Sequence, residues 1–333
     1  LLGVIFGQVE PAVMDNAKKY FFFSAMSYPF IALYDDGACI LRAQENSKLP
    51  MQISFVANGI NVALNLIFVW VLHLGVAGSS AATMIARAFA MVAVLYKLRN
   101  PKMKIQLRDY SSIRPEWEEI KRILHIGVPS GIENGMFQFG KLAIQSTVSS
   151  LGTAAIAAQA MTIIFENVNG MAAVGIGIGL MTVVGQSIGA GRQEEAKYYI
   201  VKLAGYAEVA MIISCILVYI AARPVTVLAG MSEESTALCM QMILAITIVK
   251  PLLWVPSFTP PNGLRAAGDV RFSMITATLT MWLCRVALSI FLMRVVKTGP
   301  IGVWYGMFAD WGVRGVIFTI RFVRGKWLRF KVI

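Results

Sequence analysis

The chain has 333 residues, of which 57% are apolar and 14% charged, with a formal charge of +12 and a mean hydropathy of +0.66. Average soluble domains carry about 25% charged residues, so the composition excludes a water-soluble globular protein and describes one that lives in lipid. The positive balance does not imply a nucleic-acid partner, because in a membrane protein the location of Lys and Arg matters more than their sum.

A bilayer core takes about 20 apolar residues per helix. On that period the chain predicts nine spans, near 21–41, 51–72, 76–97, 121–150, 153–184, 199–222, 237–263, 272–294 and 300–320. Several are long enough to tilt or to run past the interface, and the alternating pattern of a membrane barrel does not occur in the sequence. Residues 1–17 read as the end of an earlier helix followed by the loop PAVMDNAKK, and further residues are expected before Leu1. The long polar connection within 98–120 (RNPKMKIQLRDYSSIRPEWEE) is the natural linker between a first bundle, 1–97, and a second, 121–323, with a basic tail at 324–333.

The connections 42–48, 97–122, 192–202, 265–271 and the stretch 321–331 hold twenty of the thirty Lys and Arg residues. The opposite connections hold Lys18, Lys19, Arg223, Arg294 and Lys297. By the positive-inside rule the first set faces the cytoplasm, and the C-terminus with it. Cys39, Cys215, Cys239 and Cys284 are scattered without CxxC spacing, and His73 and His125 are the only imidazoles. Packing as small hydrophobes suits these thiols better than a disulfide framework or a metal site.

The sequence also repeats itself. LRAQENSKLPM (41–51) and LRAAGDVRFSM (264–274) align without gaps, which pairs Arg42 with Arg265 in two basic turns. VAL recurs at 62–64 and 286–288, Gly75-Val76 is matched with Gly302-Val303, and Arg87 with Arg314. Both turns are read as cytoplasmic, so the copies run parallel, as in transporters whose halves are related by an axis along the membrane normal. The second copy extends back through six helices, and symmetry predicts two helices and most of a third ahead of Leu1.

At this point the sequence resembles the prokaryotic branch of the multidrug and toxic compound extrusion (MATE) family. The carriers are PFIALYDDGACILRAQENSKLPM (29–51), GVPSGIENGMFQFGK (127–141), VGQSIGAGRQEEA (184–196), LRAAGDVRF (264–272) and DWGVRG (310–315), in order and at fitting distances. The resemblance implies an all-α integral membrane protein of two pseudo-symmetric six-helix lobes, the first truncated here. It also implies export of organic cations in exchange for Na+ or H+, with no other cofactor. The chain departs from the family's pattern at Glu45, where a Gly is usual, at Asp35 and Asp36, where small or amide residues are usual, and at Phe137 and Trp254, where many or some members carry a carboxylate.

The polar residues inside the spans carry the expected chemistry. Glu133, Phe137 and Lys141 fall at i, i+4 and i+8 and share a helical face, with Asn134 and Gln138 beside them and Gln145 on the flank. Ionisable groups at this depth cost roughly 2.5–3.5 kcal/mol or more, so they face a bundle interior or a water-filled cavity. Glu133 is a cation-coupling or substrate carboxylate on one reading and a structural partner of Lys250 on another; an interfacial position is the third. Lys250 is a charge partner or gate, or else a snorkelling side chain, in a helix that Pro251, Pro256, Pro260 and Pro261 bend and open. Trp254 offers a face for an organic cation or is plain packing. Asp310 and Arg314, at i and i+4, can neutralise each other as a structural pair. Asp35 and Asp36 stand near a basic turn and face cytoplasmic water or carry a role of their own. The Gly-rich turn GQSIGAGRQEEAK lacks the spacing of a phosphate loop.

The expectation is thus a monomeric secondary exporter in a prokaryotic inner membrane, with lipid around it, an organic cation as cargo and no nucleic acid. The rivals are a lipid-linked oligosaccharide flippase of related fold, which would need a strongly basic cleft, and a fragment that does not transport. An enzyme is disfavoured, since the sequence has no His cluster, metal spacing or Ser–His arrangement.

Overall fold

The computed structural model describes residues 11–101, 103, 105, 106 and 116–329. Residues 1–10 of the expected helix end, the middle of the linker at 107–115 and the last four residues of the tail lie outside them, and the expected loop PAVMDNAKK is instead the first turns of a helix that runs from Pro11 to Ala43. The chain divides into two compact units, Leu1–Pro115 and Glu116–Ile333.

In the first unit α1 (Pro11–Ala43) is followed by α2 (Lys48–Asn65, extended by a π-helical turn, Leu66–Val71) and α3 (Gly75–Leu98). The second unit contains α4 (Trp117–Ser149), α5 (Thr153–Gly189), α6 (Gln193–Leu228), α7 (Glu233–Ala266), α8 (Val270–Thr280) and α9 (Ile301–Val323). Beyond Thr280, α8 runs on through π-helical turns at Met281–Ala287 and Leu292–Val296, either side of one α-turn, Leu288–Phe291. The described residues contain no strand. Each of the nine expected spans falls on one of these helices, and even α9, at 23 residues, rises about 35 Å, enough for a hydrocarbon core of about 30 Å.

Six segments are long and apolar enough to cross a membrane on composition alone: Lys48–Val71, Gly75–Leu98, Thr153–Gly189, Gln193–Leu228, Glu233–Ala266 and Val270–Val296. The remaining helices, α1, α4 and α9, carry Asp35 and Asp36, Glu133 and Lys141, and Asp310 and Arg314 in their apolar stretches. The chain is a multi-pass membrane protein, and its outward faces agree. Tyr206, Val209, Ile213, Ile216, Leu217 and Ile220 on α6 are all exposed. So continuous an apolar face would promote aggregation in water; against lipid tails it carries no such penalty.

Within the first unit α1 lies along α3, close enough that a Cβ on Gly37 would run into the Val94 side chain. Leu41, Ile53, Ala57, Ala90, Val94 and Leu98 form its core. In the second unit one core gathers α4 to α9 around Met211, Met242, Ile246, Trp304 and Trp311. A second core, with Leu180, Ile200, Leu264, Phe318 and Trp327, closes one end.

The repeat is visible in the backbone. Glu45 (φ 66°) after α1 and Gly268 (φ 92°) after α7 hold the same left-handed position. Glu45 N–H donates to Arg42 O and Asn46 N–H to Leu41 O, as Gly268 N–H donates to Arg265 O and Asp269 N–H to Leu264 O. These paired bonds make a Schellman closure, which normally takes Gly. A Glu there is strained by about 1–2 kcal/mol, offset in part by the greater freedom glycine has when unfolded. Glu45→Gly is therefore expected to raise the melting temperature of the purified protein by about 1–2 °C; a lower value would refute the strain.

One expected register is corrected. His73 (φ 51°) and Gly75 (φ 56°) match Lys297 (φ 58°) and Gly299 (φ 72°), two residues apart in both loops. A Cβ on Gly78 would press on Leu74 and Phe68, and one on Gly302 on Thr298 and Leu292. Gly75 thus corresponds to Gly299 and Gly78 to Gly302, which sets Arg87 opposite Trp311 rather than Arg314. The three-residue slip is close to one helical turn, so it kept the same face in view.

Candidate functional site

Besides surface pairs and the Arg321–Asp269 pair, the charged side chains of the second unit form three clusters. In the first, Arg265 Nη2 donates to Glu133 Oε1 at 2.5 Å. Glu133 lies midway along α4, and Arg265 is in the last turn of α7. The structural reading had paired Glu133 with Lys250; its partner is instead the repeated arginine of the turn. Arg265 also lines a cavity of about 220 Å³ with Trp254, Phe258 and Arg314. Its counterpart Arg42 is half-buried and donates to Cys39 Sγ at 3.3 Å, so the two repeated arginines do different work.

The second cluster surrounds Lys250, whose side chain is 0% exposed. Its ammonium donates to Glu166 Oε1 at 2.6 Å, to Glu166 O at 2.9 Å and to Asn169 Oδ1. All three donors of the ammonium are thereby used, which makes burial of the charge tolerable. Gly170 leaves room for this arrangement, since a Cβ there would stand 3.2 Å from Nζ. Trp254, one turn after Lys250, stacks on Phe258 with centroids 4.8 Å apart, and Nζ lies 5.7 Å from the Trp254 ring.

The third cluster is a carboxylate between two guanidiniums. Asp310 on α9, 0% exposed, is 3.2 Å from Arg285 Nη2 and 3.1 Å from Arg314 Nη2. Arg314 also donates to Ala277 O at 3.0 Å and Thr280 Oγ1 at 3.3 Å, and faces the Phe258 ring. Arg285 comes from the π-helical part of α8. Its guanidinium lies 4.8 Å from the Phe137 ring, which Lys141 Nζ approaches to 5.2 Å.

Between these clusters opens a cavity of about 430 Å³, lined by Gln138, Lys141, Gln145, Gln159, Glu166, Asn167, Arg285 and Trp304 among others. A smaller one of about 210 Å³ shares Lys141, Glu166, Asn167 and Arg285 and adds Phe137, Trp254 and Trp311. The size suits a drug-like molecule. Of the expected site residues, Gln138 and Lys141 line the larger cavity and Trp254 the smaller. Glu133 and Lys250 line neither of these two, and Asn134 is exposed, donating to Ser130 O at 2.9 Å.

Sequence reasoning missed Glu166, Asn167, Asn169 and Gln159. The signal was present in FENVNG (165–170), three polar residues in one turn of an apolar helix. In the first unit a separate cavity of about 360 Å³ is lined by Asp35 with Asn58, Asn61, Thr83 and Arg87. There Asn61 Nδ2 donates to Thr83 Oγ1 at 3.2 Å and Arg87 to Ser27 Oγ at 2.6 Å. Among the described residues, no three His, Cys, Asp or Glu side chains gather as a metal would need.

A family model described as MatE matches residues 2–67 and 129–291. The probable multidrug resistance protein NorM of Thermotoga maritima is 24% identical over 330 residues, 97% of this chain and 70% of that protein. The probable multidrug resistance protein YoeA of Bacillus subtilis is 26% identical over 90% of this chain, which spans 65% of that relative's length. Among solved structures, a MOP-superfamily transporter from Pyrococcus furiosus, described as having a binding pocket of reversed polarity, superposes with a TM-score of 0.86 at 19% identity. That match covers 98% of this chain and 73% of the other.

Proposed function

This chain belongs to the MatE family, and we propose that it works in a secondary active exporter of drug-like organic molecules, driven by a Na+ or H+ gradient. The observation that carries the reading is a family match that runs through both units. Relatives named as probable multidrug resistance proteins support drug-like cargo, and a polar cavity of about 430 Å³ among apolar helices supports a place to hold it. The excess of Lys and Arg in alternate connections supports an inner-membrane protein with its C-terminus in the cytoplasm. A monomer suffices for this cycle.

The cycle is alternating access between two pseudo-symmetric lobes, in which the coupling cation favours one arrangement and cargo the other. A potential of 100 mV is worth about 2.3 kcal/mol per charge. At about 1.4 kcal/mol per factor of ten, one net charge per cycle sustains a gradient of roughly fifty-fold. Glu133 is the carboxylate assigned to coupling. Because Arg265 contacts it directly, a Na+ ion or proton reaching Glu133 displaces Arg265, and the pair becomes the switch.

Organic cations are the reference cargo for the test. Proteoliposomes are loaded with cationic, zwitterionic or anionic fluorescent dyes, and Na+ and H+ gradients are imposed separately. The expected result is gradient-driven export of at least one dye, falling at least tenfold in Glu133→Gln at equal protein level. Unimpaired export by Glu133→Gln removes Glu133 from coupling. No export of any dye under either gradient overturns the exporter.

A further inference from the structure

The interior of the second unit holds more positive than negative charge. Lys141, Arg285 and Glu166 stand at the wall of the 430 Å³ cavity and of the smaller one beside it. Glu166 is already neutralised by Lys250. Arg285 and Arg314 divide the single carboxylate of Asp310. Four cations therefore face two anions, and the part of that excess that meets the cavity is Lys141 and the half-compensated Arg285, the rest lying on Arg314. Glu133 does not redress it, being closed on Arg265, and Glu208 on α6 lines neither cavity.

Two details sharpen the imbalance. Among the described residues Lys141 makes no ion pair; its ammonium rests only over the Phe137 ring. The Nε of Arg285 is buried without an acceptor. Half-compensated charge on the buried Arg285 is costly, Lys141 stands exposed at the same wall, and a negative group entering the cavity lowers that cost. The amides of Gln138, Gln145 and Asn167 add donors, while Trp304 and Met307 supply an apolar wall.

We propose that this cavity recognises the acidic group of an amphipathic organic anion, a carboxylate or phosphate received by Lys141 and Arg285 with its apolar body against Trp304. The proposal deepens the exporter reading by giving the charge of the cargo, and rests on that reading only in calling the ligand cargo.

The test is equilibrium binding to the purified full chain in detergent, corrected for protein-free micelles, with dansylglycine as the anion, dansylamide as the neutral analogue and dansylcadaverine as the cation. The expected order is dansylglycine at least tenfold tighter than either of the others. Lys141→Gln, at an exposed unpaired position, keeps the fold and is expected to weaken dansylglycine about tenfold while leaving dansylamide unchanged; Lys141→Glu reverses the preference toward the cation. Added phosphatidylglycerol separates the two sources of the acid. Displacement of dansylglycine identifies a lipid headgroup, and its absence identifies a soluble organic acid. Equal affinity for the three probes, or dansylglycine binding untouched by Lys141→Gln, overturns the proposal. Since no gradient is applied, failure of export in the dye assay leaves this result standing, and the reverse also holds.

Discussion

Asp310→Asn is expected to yield little or no folded protein. Among the described residues Asp310 is the only carboxylate in contact with Arg285 and Arg314, and all three side chains are buried. Removing one member of a buried pair costs about 3–5 kcal/mol because the other charge is left uncompensated, and here two guanidiniums lose their partner at once. Against a total stability of about 5–15 kcal/mol, that is enough to unfold the second unit. Arg285→Gln gives the contrast. It leaves Asp310 and Arg314 as a neutral pair and is expected to destabilise much less. The measurement is thermal unfolding in detergent followed by size-exclusion chromatography. If Asp310→Asn melted within a few degrees of the wild type, the three-membered cluster would not be holding α8 and α9 together.

Lys250→Met is the second large effect, and its value lies in the repair. The single change strands the Glu166 carboxylate and the Asn169 carbonyl, both of which point at the ammonium. A loss of about 3 kcal/mol is expected, toward the low end for a broken buried pair because Glu166 keeps 18% exposure. Adding Glu166→Gln removes the stranded charge, and the double variant is expected to recover at least half of the loss. The coupling read from the double-mutant cycle then exceeds about 1 kcal/mol. A double variant no better than the single would mean that Lys250 acts through packing against Trp254 instead.

The helices of this protein were legible in its sequence because lipid enforces a single rule: about 20 apolar residues per crossing. Where charges interrupted that rule, as at Asp310 and Arg314, the i, i+4 spacing named a pair within one helix and the contact is there. Pairing between helices was not legible. Glu133 finds Arg265 across 132 positions and Lys250 finds Glu166 across 84, and no local period encodes which face of one helix meets which face of another. Lys250 was the residue of α7 expected to meet Glu133, and no local pattern pointed to Arg265 at the helix end. The turns behaved differently again. LRAQEN and LRAAGD specify one backbone path through their hydrogen bonds even though Glu45 and Gly268 differ, whereas the second loop pair shares its path, His73 with Lys297 and Gly75 with Gly299, with no common motif to align.

The π-helical turn that carries Arg285 has a consequence for how such helices change over time. A π-turn holds one more residue than an α-turn, so Met281–Ala287 acts as a phase shifter. Between it and the second π-turn at Leu292–Val296, the side chains of α8 are rotated by about 100° from where an uninterrupted α-helix would set them. An insertion or deletion of one residue at this place need not lengthen or shorten the crossing; it can swing Arg285 toward the cavity or out toward lipid. The sign of the site can therefore be rewritten by a single codon gained or lost, with every other residue unchanged.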